Sequence, residues 1–280
     1  MPAVITWNRY GKSRVRLVKV RRAADPHGVL DLTIDMSLEG AFEAVYTDGD
    51  NQSCLATDTM KNTVYAFARR DHIDHVEVFA SQLAEHFAGK PGVSLVRIDV
   101  AEHPWEALTV AGRPHPHAFA RRGEEEWTAL VTLSKSGLTV TSGLRGLVVL
   151  KTADSAFAGF PRDEYTTLPD TRDRLLATAI TAAWRYGPGF SDFAARTAVR
   201  AALVETFASH RSESVQHTLY AMGEAALAAC AGVTEIHLSL PNRHHLLVDL
   251  APFGLDNPNE IFVATDQPFG VIEARISRTG

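Results

Sequence analysis

Each half of this chain carries the same succession of hydrophobic patterns, and that repeat constrains the fold more than any one motif. In the first half, residues 14–17 alternate apolar and polar, and residues 18–20 alternate in the opposite phase. Leu30, Leu32, Ile34, Met36 and Leu38 then hold a period of two, as a strand does when one face lies on a core. Asp25-Pro26-His27-Gly28 between these runs is a turn signal, so they predict a hairpin. A helix is expected over about 57–67. A second carries Ile73, Val76, Ala80, Leu83 and Phe87 on one face and ends at Gly89 and Pro91. Strands are expected over 95–100 and 127–133. The second half repeats the order, with strands near 138–150 and 179–186, helices over 192–209 and 214–229, and strands over 235–240 and 246–250. Hairpin-linked strands with helix pairs between them imply an α+β fold of antiparallel sheets, each with helices on one face. Two modules are expected, 1–136 and 137–280, divided at Lys135-Ser136-Gly137.

Composition removes several functional classes. With 45% hydrophobic and 22% charged residues the chain is of the soluble globular kind. Its net charge of -5 leaves no basic footprint for nucleic acid. No apolar run is long enough to cross a bilayer, and the opening Met-Pro-Ala-Val-Ile-Thr-Trp-Asn-Arg has no signal-peptide core. Cys54 and Cys230 lie far apart without a CxxC, so two reduced, buried thiols and a cytoplasmic protein are expected.

Thr57-Asp58-Thr59 falls where a loop should turn into a helix. Its hydroxyls and carboxylate are expected to satisfy free amide donors of the first turn. Such a helix start is also a site for an anion or a polarised oxygen. These residues belong to the string Ala56-Thr57-Asp58-Thr59-Met60-Lys61-Asn62-Thr63-Val64-Tyr65. Other strings with a distinct character are Tyr10-Gly11-Lys12, Phe157-Ala158-Gly159-Phe160, Arg162-Asp163-Glu164-Tyr165-Thr166-Thr167-Leu168 leading to Asp173-Arg174, Ser214-Val215-Gln216, and Ser239-Leu240-Pro241-Asn242-Arg243-His244-His245. The planar guanidinium of Arg174 suits a flat oxyanion edge such as the carbonyl and ring nitrogen of a purine-dione. Gln216 offers an amide donor and an acceptor at the start of a helix.

In order and spacing these strings resemble one family, urate oxidase (uricase), over nearly the whole chain. The resemblance implies tandem tunnelling-fold (T-fold) modules whose sheets close into a barrel on oligomerisation, removing exposed edges. It implies a homotetramer with active sites at subunit interfaces. The matching Arg174 and Gln216 would grip urate as a pincer, assisted by the Val215 backbone, with Phe157 stacked on the ring. Lys12, Thr57 and His244 would form a proton relay, His244 coming from the neighbouring subunit. Asn242 with Thr57 would hold dioxygen or water above the ring, and the backbone of Asp58 would touch substrate. The implied reaction is oxidation of urate by dioxygen and water to 5-hydroxyisourate and hydrogen peroxide, with no cofactor. The terminal Ser277-Arg278-Thr279-Gly280 is not the Ser-Lys-Leu address of many eukaryotic uricases. Arg243 stands where the family often has Lys, and Asp170, after Pro169, where it often has Glu.

Competing signals are weaker. Arg113-Pro114-His115-Pro116-His117 and His72-Ile73-Asp74-His75 lack a matched ligand set, so no metal is expected. There is no GxGxxG, no Walker loop and no GxSxG elbow. Two rivals are a metal-dependent T-fold enzyme acting on pterins and a catalytically inactive purine-binding assembly. The intact set Lys12, Thr57, Arg174, Gln216, Asn242 and His244 weighs against the second.

Overall fold

The computed structural model describes residues 3–121 and 123–279. They divide into two compact units. The first takes in the described residues up to Gly143 together with Arg185–Phe193, and the second Leu144–Trp184 with the described residues from Ala194 onward.

In the first unit, β1 (Tyr10–Arg21) and β2 (Gly28–Gly40) form the expected hairpin. Leu32, Ile34, Met36 and Leu38 of β2 are buried in the core, while Val18 and Val20 of β1 are exposed. The two phases noted over 14–20 therefore belong to one strand, with an irregularity between Lys12 and Val15. Arg14 there takes φ 60 and its amide donates to Asp35 Oδ1 at 2.7 Å. Such a bulge re-aims the side chains beside it, and Lys12 is one of them. Gly11 is needed for close approach: a Cβ at that position would lie 1.9 Å from the Met36 carbonyl oxygen.

After the short α1 (Glu43–Thr47) come α2 (Thr57–Arg70) and α3 (Val76–Ala88). The first long helix thus runs three residues beyond its expected end, and Ile73 is buried ahead of the second rather than within it. Met60, Val64, Phe79, Leu83 and Phe87 pack against the β2 side chains in one cluster. The sheet continues antiparallel through β3 (Val93–Glu102), leaves it for a separate hairpin of β4 (Glu106–Val110) and β5 (Arg113–Ala120), and returns as β6 (Glu126–Ser134). β4 and β5 were not expected from the sequence. Arg113-Pro114-His115-Pro116 has no alternation, and prolines argue against a strand except at an edge, which is where a two-stranded hairpin puts them.

β7 (Gly137–Lys151) and β8 (Leu176–Tyr186) each run from one unit into the other. In the second unit, the helix expected over 192–209 is split into a 3₁₀ turn at Phe193–Ala195 and α4 (Arg196–Ser209), and α5 (Val215–Ala229) begins after a Ser214 cap. α5 packs on β9 (Val233–Ser239) and β12 (Glu273–Ser277), which pair antiparallel. β10 (Asn242–Leu247) pairs with β8 and with β11 (Phe262–Gly270). β10 starts four residues before the strand expected at 246. Cys230 is buried at the end of α5, whereas Cys54 is half-buried, and both are free. No helix among the described residues is long and apolar enough to cross a membrane.

Candidate active site

The candidate residues fall into two groups, one in each unit. In the second unit the organising piece is a short extended segment, residues 154–157. On one edge its Ser155 carbonyl accepts from the Arg174 amide at 2.8 Å, and Phe157 exchanges backbone bonds with Thr171 at 2.7 and 2.9 Å. On the other edge it pairs with Ser212: the Ser212 amide donates to Asp154 at 2.9 Å and the Ala156 amide to Ser212 at 2.7 Å. Ser212 leads directly into Ser214, whose hydroxyl accepts from the His217 amide at 3.1 Å and caps α5. The chain thus places Arg174 and the pair Val215 and Gln216 on opposite flanks of the segment that carries Phe157. Val215 is buried, and Gln216 is exposed at the first turn of α5.

A cavity of about 160 Å³ opens beside this segment, lined among others by Phe157, Arg174, Asn242 and His244. Four of the residues picked from the sequence therefore meet around one space. Asn242 and His244 come from β10, whose pairing with β11 shifts register between them. The guanidinium carbon of Arg174 lies 5.3 Å from the centre of the Phe157 ring, which stacks on Phe160 at 4.8 Å. Burial pulls the Arg174 guanidinium below its usual pKa, since a charged group loses hydration there. Its Nε is buried and has no hydrogen-bond partner among the described residues. A desolvated cation with an unused donor beside an aromatic face calls for a flat anionic or carbonyl-bearing ligand.

The loop before Arg174 is closed by the departing residue Asp170: its Oδ1 accepts from Arg162 Nη2 at 3.2 Å and from the Gly159 amide at 3.3 Å. Asp170 thus fastens the loop to residues 159 and 162.

Lys12, Thr57 and Asp58 belong to the first unit. Tyr10 Oη accepts from the Leu55 amide at 2.9 Å, fixing the entry to α2 against β1. Burial, ahead of smaller effects from Cys54 and Tyr46, raises the Tyr10 pKa, and the Leu55 bond opposes it. Thr57 and Asp58 sit in the first turn of α2, but the expected capping does not occur. The cap position is Ala56, with no side-chain bond, and the Asp58 carboxylate instead holds Lys61 Nζ at 2.5 Å and Asn62 Nδ2 at 2.9 Å. Lys61 is the main cause lowering the Asp58 pKa, and Lys12 adds to it through space. A helix start without a side-chain cap leaves backbone donors for an incoming oxygen.

The model of the uricase family, described as Uricase, matches residues 8–132 and 140–273. The chain belongs to the uricase family. It is 47% identical over 279 residues to the uricase of Arthrobacter globiformis, covering 99% of this chain and 91% of that one. It is 39% identical to the uricase of Arabidopsis thaliana, covering 96% of this chain and 94% of its relative. The crystal structure of the Arthrobacter globiformis uricase superposes with a TM-score of 0.94 at 45% identity, covering 100% of this chain and 96% of that one. A uricase from Bacillus fastidious, at 23% identity and a TM-score of 0.84, shares the fold.

Uricase-family membership accounts for the strings but not for every residue around the cavity. Thr171 and Leu175 line it too, and nothing in the sequence singled them out: Thr171 sits between Asp170 and Arg172, and Leu175 follows Arg174 in a stretch without periodicity. His115 and His117 stack edge to face at 4.5 Å, and His72 meets Asp74 at 2.9 Å. Among the described residues no three His, Cys, Asp or Glu side chains gather as metal ligands.

Proposed function

We propose that this chain oxidises urate with dioxygen and water to 5-hydroxyisourate and hydrogen peroxide, without a metal or organic cofactor. The observation that carries the reading is the half-buried Arg174 guanidinium, its Nε without a partner among the described residues, set over Phe157 in a cavity shared with Asn242 and His244. Dioxygen chemistry ordinarily draws on a cofactor. The urate anion is electron-rich enough to act as the reductant itself. Two electrons pass from the ring to dioxygen, which leaves as peroxide after taking up protons, and the oxygen of water bonds to the oxidised ring carbon.

In this reading Arg174 and Gln216 hold opposite ends of the purine, the Val215 backbone assists, and Phe157 stacks on its face. Thr57 and Asn242 hold dioxygen and then water above the ring, and the Asp58 backbone completes the contact. Lys12, Thr57 and His244 pass protons, a task for which a hydroxyl needs a basic partner on each side. Orientation and fixed dipoles supply the rate gain. The two groups of residues meet at the interface of a homotetramer, in which T-fold modules 1–136 and 137–280 close their sheets into a barrel.

The test is oxygen uptake and loss of urate ultraviolet absorbance with purified protein after exhaustive chelation. Urate loss matched by oxygen use and peroxide release supports the reading. Binding of an unreactive xanthine analogue without turnover would instead identify a purine-binding assembly. Neither binding nor turnover would remove purines altogether.

A further inference from the structure

We propose that Ser212 is a positioning residue that sets the gap between Arg174 and the start of α5. The inference rests on the purine-pincer reading and adds to it a residue that touches neither substrate nor cavity. Ser212 is 1% exposed. It makes three bonds, and each one fixes a different part of the corner. Its amide and carbonyl dock the α4–α5 connection onto residues 154–157, at 2.9 and 2.7 Å. Its hydroxyl donates to the Ser214 carbonyl at 3.0 Å.

The first two bonds set a distance. The Arg174 segment and the Ser212 segment flank one extended strand, so they stand two strand spacings apart, about 9.5 Å. The third bond sets a direction. The Ser214 carbonyl also accepts the first helical bond of α5, from the Thr218 amide at 3.1 Å. Holding that carbonyl from the other side fixes where α5 begins and how Val215 and Gln216 leave it. Asp154, whose carbonyl receives the Ser212 amide, is held at φ 58. A non-glycine residue keeps that conformation where its surroundings over-determine it, which marks this corner as rigidly built. A pincer whose arms come from separate loops needs such a brace, because a small misplacement of one arm is felt directly in binding.

The experiment compares Ser212→Ala, Ser212→Cys and Ser212→Thr in the full chain by urate KM and kcat, affinity for an unreactive xanthine analogue, and thermal midpoint. Ser212→Ala is expected to raise both KM and the analogue Kd roughly tenfold, the weight of about one hydrogen bond. Turnover at saturating urate should stay within about twofold, since the reacting atoms are untouched. Ser212→Thr, which keeps the hydroxyl, should restore both constants to within about threefold of wild type. A lower thermal midpoint with KM and Kd unchanged would make Ser212 merely structural and overturn the proposal, as would a Thr variant no better than Ala. If Ser212→Ala does not fold, Ser212→Cys carries the test: its weaker donor should give a smaller KM rise, and an unchanged KM overturns the proposal. If the wild type binds neither urate nor the analogue, the purine reading fails and this inference with it. Wild-type binding with indifferent Ser212 variants refutes the inference alone.

Discussion

Arg174 shows how a residue's chemistry depends on what surrounds it. On a surface its guanidinium would be one more solvated cation. Here it is half-buried, its pKa is pulled down by burial, and its Nε finds no partner among the described residues. The donor is therefore available to a ligand and has already lost part of its hydration. Removing it should cost about 1.5–3 kcal/mol of urate binding, the range for hydrogen bonds to charged groups. Arg174→Ala is accordingly expected to raise the KM for urate and the Kd of a xanthine analogue by about 10- to 150-fold. Arg174→Lys should recover little of this, because an ammonium cannot present the planar fork. Unchanged constants in the Ala variant would take Arg174 out of the site. That Arg174 is a candidate was legible from its string. Its unsatisfied Nε was not, because burial is a property of the fold around the chain.

At the scale of elements, the same division recurs. The period of two in β2 and the one-sided helix at residues 76–88 declare themselves, because a buried face must repeat with the geometry of its element. Element starts were harder. Thr57-Asp58-Thr59 has the composition of a cap, yet the Asp58 carboxylate is drawn to Lys61 and Asn62 and leaves the first turn of α2 uncapped by side chains. Ser214 does cap α5. A local string cannot show which nearby donor wins. The junction of α4 and α5 also carries a pH dependence. His210 ends α4, its ring centre 4.4 Å from that of His217 in the first turn of α5, and its carbonyl accepts from Lys151 Nζ at 2.7 Å. Burial, then His217 and Lys151, lower its pKa. The folded state thus binds this proton less readily than the unfolded state, whose histidine titrates near 6.5. Above that pH the two states do not differ at His210. As pH falls through the unfolded and then the folded pKa, stability is lost. Wild type should therefore lose more denaturant midpoint between about pH 7.5 and 5.5 than His210→Gln does. A wild-type curve parallel to that of the variant would show that His210 does not report the fold.

For the whole molecule, the sequence shows the order of the main strands and helices and names candidate site residues, but not how those candidates come together. Lys12, Thr57 and Asp58 fold with the first unit, while Phe157, Arg174, Val215, Gln216, Asn242 and His244 fold with the second. Strand faces such as Val18 and Val20 on β1, Val148 and Leu150 on β7, and Leu246 and Leu247 on β10 expose apolar side chains. Exposed apolar strands on a sheet are a liability that association removes. If the proposed homotetramer completes each site with residues from two subunits, two defective chains can repair each other. Lys12→Met spoils the relay and Arg174→Ala weakens urate binding, so at urate well below its KM each homo-oligomer should have little activity. When equal amounts are co-expressed, a shared site can draw an intact Lys12 from one chain and an intact Arg174 from the other. Random assembly should then restore about a quarter of wild-type sites. Steady-state urate oxidation by the purified mixed oligomer measures this directly. Recovery on that order requires sites built across subunits, because a site contained in one chain would be broken in every copy. Activity no greater than the average of the two parents would mean that Lys12 and Arg174 serve a site within a single chain, and the role assigned to the interface would have to be withdrawn.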